Sequence, residues 1–126
     1  MAPDRDVEVT EAFGENRPVV SQAFCSALPV AYTSIAPSHW KAFACLVLEG
    51  AYEATMWAAV VNAQRGASNV VLLTSLGGGA FGNDETWIIR AMRRALGMMR
   101  DTALDTNLVS YGAPSRALLH VADELA

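Results

Sequence analysis

The sequence predicts an α/β fold, a small and mostly parallel sheet with flanking helices, and three observations carry that prediction. Val70 to Thr74 is a short β-branched and leucine-rich run, the composition of a strand buried on both faces. Gly77, Gly78, Gly79 and Gly82 follow at once and lead into a helical pattern from about Glu85, as when a strand delivers a turn to a helix start. A second apolar run, Thr106 to Tyr111, then reads as a parallel strand closing a βαβ unit.

The 126 residues suffice for one small domain. Residues 1–18, with Pro3, Gly14 and Pro18 among scattered charges, read as a tail or edge segment, and 19–126 as the domain. Hydrophobic residues make up 52% and charged residues 17%, which predicts either strands buried on both faces or a surface hidden by another copy, a homodimer or other oligomer. A formal net charge of -4 offers no bulk attraction to nucleic acid or an acidic membrane. Cys25 and Cys45 lie in apolar contexts without metal-ligand spacing, so buried thiols in a reducing cytoplasm are expected, with no metal and no cofactor. Asp4, Asp6 and Glu8 stand where a secretory signal would be basic, and Glu49, Glu53, Asn62 and Gln64 interrupt the longest apolar stretch, so no membrane span is expected.

In chain order, Val7 to Thr10 carries the only hint of strand before Pro18, Val19 to Cys25 reads as extended, and Leu28 to Ile35 is apolar around Pro29. Ser38 is placed to cap a long helix running to about Gln64, with Trp40, Phe43, Val47, Ala54, Ala58 and Val61 at helical spacings. Leu46, Met56 and Trp57 widen its apolar face, and Arg65-Gly66 stops it. Asn83 or Asp84 caps a second helix to about Met99, open to a bend at Gly97, with Arg90, Arg93, Arg94 and Arg100 on its solvent side. Arg116 to Leu125 forms a short terminal helix.

The chemistry predicted at the glycine stretch is anion binding. Glycine reaches positive φ without a Cβ clash, so successive N–H groups converge, and a helix start adds unpaired N–H groups and partial positive charge. Leu76, Gly77, Gly78, Gly79, Ala80, Phe81 and Gly82 would hold phosphate through their amides, with Phe81 shielding it and Asn83 donating a side-chain hydrogen bond while capping the helix. At the neighbouring strand's end, Tyr111 offers an aromatic plane and Ser110 or Gly112 a polar contact, so a nucleotide-like ligand is implied. The same glycines equally make a tight strand-to-helix connection, with Phe81 and Tyr111 as packing residues. The dinucleotide fingerprint is met at Gly77, Gly79 and Gly82 but fails at the next strand's end, which carries Tyr111 and Gly112 rather than an acidic residue. No lysine followed by Ser or Thr makes a P-loop, no G-x-S-x-G elbow surrounds Ser21, Ser26 or Ser34, and His39 and His120 read as surface histidines. Glu49 and Glu53 read as a solvated pair on the long helix.

Leu72 to Asn83, the helix near Glu85 and the strand ending Val109-Ser110-Tyr111-Gly112 together resemble the C-terminal half of macro domains, closest to the poly(ADP-ribose) glycohydrolases. Ala51-Tyr52 with Ala58-Ala59 resembles that group's small-residue helix before the strand. The resemblance implies a truncated three-layer macro-like arrangement, with Gly77 to Gly82 on the diphosphate of ADP-ribose, Phe81 against the distal ribose, Asn83 bracing the loop, and Tyr111 or Gly112 near the adenosine. The glycine-rich stretch with paired glutamates that the glycohydrolases use for catalysis has no counterpart in Met1 to Pro37, so the catalytic residues are unknown. The expectation is a nucleotide-diphosphate binding module, or else a non-enzymatic oligomerisation protein retaining the fold.

Overall fold

The computed structural model describes residues 3–10, 14 and 16–126. Its elements are β1 (Pro3–Glu8), β2 (Val19–Ala23), a 3-10 turn (Val30–Tyr32), α1 (Pro37–Gln64), β3 (Val70–Thr74), α2 (Glu85–Met98), β4 (Asp105–Val109) and α3 (Arg116–Leu125). The class is α/β, but the strands form two small sheets where one mostly parallel sheet was expected. β1 pairs antiparallel with β2 around a register shift between Asp4 and Val7, and β3 pairs parallel with β4 from Val70↔Asp105 to Thr74↔Val109. Apolar alternation fixes which face of a strand is buried and leaves its partner open, so β2, β3 and β4 were predictable as extended runs, β1 only at Val7 and Glu8, and the division into two sheets was not.

The core forms where α1 crosses α2. Ala44, Leu48, Tyr52 and Met56, each four residues on from the last, bury one side of α1. They join Trp87, Ile88, Ala91, Met92 and Ala95 of α2, with Val71 and Leu73 from β3 and Leu118 and Val121 from α3. The helical spacing in α1 extended around much of its circumference, yet only that side is covered. Phe43, Leu46, Trp57 and Val61 are each about half exposed on the opposite side. By length and composition α1 is in fact apolar enough to cross a membrane, most of it lying outside the core. The expectation of no such segment rested on Glu49, Glu53, Asn62 and Gln64, and the two glutamates turn toward α2: Glu53 meets Arg94 at 2.6 Å and Glu49 lies 4.0 Å from Arg90. Arg93 pairs with Glu124 of α3 at 2.8 Å. Arg90, Arg93 and Arg94, with Glu49 and Glu53, were expected to be merely solvated and are instead paired between helices, although exposed pairs of this kind add little stability.

Helix ends follow local chemistry with small corrections. α1 starts at Pro37, whose ring presets a helical φ, after Ala36, which supplies no side-chain cap. Ser38 lies inside the first turn. At the other end Gly66 takes φ 83° and stops the helix. α2 is capped by Asp84, not Asn83, and runs unbroken through Gly97 to Met98. β4 begins at Asp105 and ends at Val109, so Ser110 and Tyr111 lie beyond it. Cys25 and Cys45 are partly buried and form no disulfide with each other.

Candidate functional site

The loop from Ser75 to Asn83 leaves the carboxyl end of β3 and is anchored before its first glycine. The Tyr52 hydroxyl donates to the Thr74 carbonyl at 2.6 Å and accepts the Leu76 amide at 2.9 Å. Burial pushes the Tyr52 pKa up to about 12, opposed by the Leu76 hydrogen bond. Gly77 and Gly82 then take φ 77° and 69°. A Cβ on Gly77 would collide with the Ala27 side chain and approach Asn83 Nδ2 to 2.8 Å, and one on Gly82 would come within 2.7 Å of the Ala31 Cβ. These two glycines are therefore demanded by conformation and by packing against the 27–31 segment. The Ala31 amide donates to the Phe81 carbonyl at 2.9 Å, and the Phe81 ring meets Tyr32 edge-on, centroids 5.9 Å apart.

Asn83 fastens the loop from inside. It is 5% exposed, and its Nδ2 donates to the Leu28 carbonyl at 2.8 Å and to the Gly77 carbonyl at 3.2 Å. Its backbone amide also donates to Gly77. Its Oδ1 is buried and accepts no hydrogen bond. Asn83 thus braces the loop, as expected, but leaves the capping to Asp84.

The middle of the loop is different. Gly78, Gly79 and Ala80 are exposed, and a Cβ on Gly79 would meet nothing within 4 Å. The Gly82 amide closes a turn onto the Gly79 carbonyl at 3.0 Å, and the Gly78 amide reaches Ser75 at 3.3 Å. Among the described residues no protein acceptor takes the amides of Gly79, Ala80 or Phe81. Three successive free N–H groups on a turn are the material of an anion site. The start of α2 adds less than expected, because Asp84 accepts both the Thr86 amide and hydroxyl, at 2.8 and 2.6 Å. Those two bonds, then the charge of Lys41, hold the Asp84 carboxyl below its ordinary pKa.

The chain matches no family model, no curated protein and no solved structure.

Because β3 and β4 are parallel, Ser110 to Gly112 leave the same end of the sheet as the glycine loop. Tyr111 is nevertheless fully exposed, and a Cβ on Gly112, at φ 84°, would meet nothing within 4 Å. The wall these residues were expected to form is not built against Phe81. A groove of about 900 Å³ lies elsewhere, between β2, α1 and β3, and of the predicted ligand residues only Leu76 lines it. Among the described residues no trio of His, Cys, Asp or Glu is placed to hold a metal ion. Sequence reasoning missed Tyr52 as the loop's anchor and the Ala27–Ala31 segment as its bed; the small residues Ala27 and Ala31 were the only signal of the second.

Proposed function

We propose that the chain is a non-catalytic module binding ADP-ribose or a related nucleotide diphosphate at the tip of the glycine loop. The observation that carries this reading is the run of free amides at Gly79, Ala80 and Phe81, held on a turn whose two ends are clamped by Asn83, Gly77 and Gly82. A diphosphate needs several donors converging without a competing acceptor, and three adjacent backbone N–H groups supply that without a cationic side chain. The likeness of the Leu72 to Asn83 stretch to macro domains names the ligand class, and the truncated three-layer arrangement is part of the same proposal. Phe81 would flank the distal ribose, and Tyr111 and Gly112 would reach the adenosine end by moving onto the bound ligand. Binding rather than turnover is the activity proposed.

Calorimetric titration with ADP-ribose, read beside Trp87 fluorescence, tests it. Saturable binding by the parent chain, abolished in a folded Gly79→Leu variant, is the expected outcome. An absence of saturable heat in the folded parent chain refutes it. A second reading, a non-enzymatic oligomerisation protein, draws on the half-exposed Phe43, Leu46, Trp57 and Val61 of α1, since apolar surface of this extent favours a homodimer or larger assembly.

A further inference from the structure

The groove between β2, α1 and β3 has the layout of an interrupted sheet. Ser21 sits at Asn62 and Cys25 at Ala51 and Thr55, so β2 runs antiparallel to α1. Asn62 also reaches the Ser68 carbonyl and Tyr52 the Thr74 carbonyl, so β3 does the same at the same level. Two strands thus lie side by side along one helix, pointing the same way, and they are not hydrogen-bonded to each other. The space of about 900 Å³ that both strands line has α1 as its floor, where Ala51, Ala54, Ala58 and Ala59 keep it deep.

The wall formed by β3 is a free strand edge. The Asn69 carbonyl accepts the Asp105 amide, so in this parallel ladder Asn69, Val71 and Leu73 direct their backbone groups toward β4. The N–H and C=O of Leu72 therefore point the other way, into the groove, where no strand meets them among the described residues. Such an edge is a template for another strand, and a two-stranded sheet gains stability on reaching three.

Charge identifies the occupant. Among the described residues Arg5, Asp6 and Arg65 are the only charged ones lining the groove, and Asp6 and Arg65 are paired with each other at 2.8 Å. The rest of the lining is apolar or neutral, with Val70, Leu72, Trp57 and Val61 about half exposed or more. A segment entering it must be uncharged along its centre. Of this chain's own strands, β3 and β4 pair with each other, β2 is already a wall, and β1 carries Asp4, Arg5, Asp6 and Glu8. Among the described strands a second copy has none that is both uncharged and able to enter, because its own free β3 edge is recessed beside its own β2. We infer that the groove is a slot for one extended, centrally uncharged β-strand of another polypeptide, added along the free edge of β3. A strand matched to β3 would span about 17–20 Å.

This inference is independent of the nucleotide reading, because Gly77 to Asn83 do not line the groove. Panning a displayed library of random heptapeptides against the full chain tests it. Enriched peptides should alternate apolar residues around an uncharged centre and slow hydrogen exchange at the Leu72 amide by at least about tenfold. They should lose binding to Ala58→Lys and to Ala54→Lys, each checked for folding by circular dichroism, while the response to ADP-ribose is unchanged. Three outcomes overturn the proposal. They are an absence of enriched extended peptides, binding that leaves Leu72 exchange unaltered or survives both variants, and a peptide-free dimer that either variant dissociates, which would make a second copy the occupant.

Discussion

Gly79 and Gly82 differ by three positions and separate two kinds of glycine. At Gly82 a side chain meets both a left-handed φ and the Ala31 Cβ at 2.7 Å, so Gly82→Ala is expected to cost about 2–4 kcal/mol. At Gly79 the space is open, and Gly79→Ala should change the free energy of urea unfolding by under about 0.5 kcal/mol. Equal losses in the two variants would show that the loop is packed throughout. Asn83 is a harsher test of the same bed. Asn83→Asp places a carboxylate before the Leu28 and Gly77 carbonyls, which can donate nothing to it, and should cost more than about 3 kcal/mol at pH 7. Tyr52 links the core to the loop and carries a pH signature. Its folded pKa of about 12 exceeds the ordinary 10.0, so the fold binds the phenol proton more tightly than the unfolded chain does. That stability is complete below pH 10 and declines as pH rises from about 10 to about 12, by about 2–3 kcal/mol in all. Urea unfolding of the parent chain and Tyr52→Phe across that range should show this decline in the parent and not in the variant.

Among the elements, α2 and β3 were the most readable in the sequence, because each had one dominant constraint. β3 is a five-residue apolar run with a glycine stop, and α2 has its acidic start, its basic outer face and a continuous buried stripe. α1 was readable as a helix but not in its exposure, since alanine-rich apolar spacing is the same whether a second layer covers it or not. The site was half readable. Glycines at positive φ and a cap at Asn83 or Asp84 follow from residue type, whereas the choice of Asp84 and the fully exposed Tyr111 depend on tertiary placement that spacing does not encode. The cap itself is testable: Asp84→Ala removes the acceptor for Thr86 and should cost about 1 kcal/mol. On the uncovered side of α1, Trp57→Lys should leave the unfolding midpoint nearly unchanged, and should lower the sedimentation coefficient if α1 is a contact between copies.

As a whole, the molecule is a well-packed helix and strand core with a lightly held hairpin. The described contacts of β1 and β2 to α1 run through exposed polar pairs, Asp6 with Arg65 and Ser21 with Asn62, while β3, α2 and α3 share the buried cluster. Hydrogen exchange should therefore release β2 amides at least about a hundredfold faster than those of α2, by local opening rather than global unfolding. Uniform protection would place the hairpin in the same cooperative unit. That division leaves the glycine loop on a firm base at both sides, in Tyr52 and β3 and in the 27–31 segment, whose Ala27 and Val30 belong to the buried cluster. The binding claim rests on three amides, and they can be watched one by one. In a ¹⁵N-resolved NMR titration with ADP-ribose, saturable shifts should be largest at Gly79, Ala80 and Phe81 and absent in Gly79→Leu. Shifts confined to other residues, or none at millimolar ligand, would contradict the account.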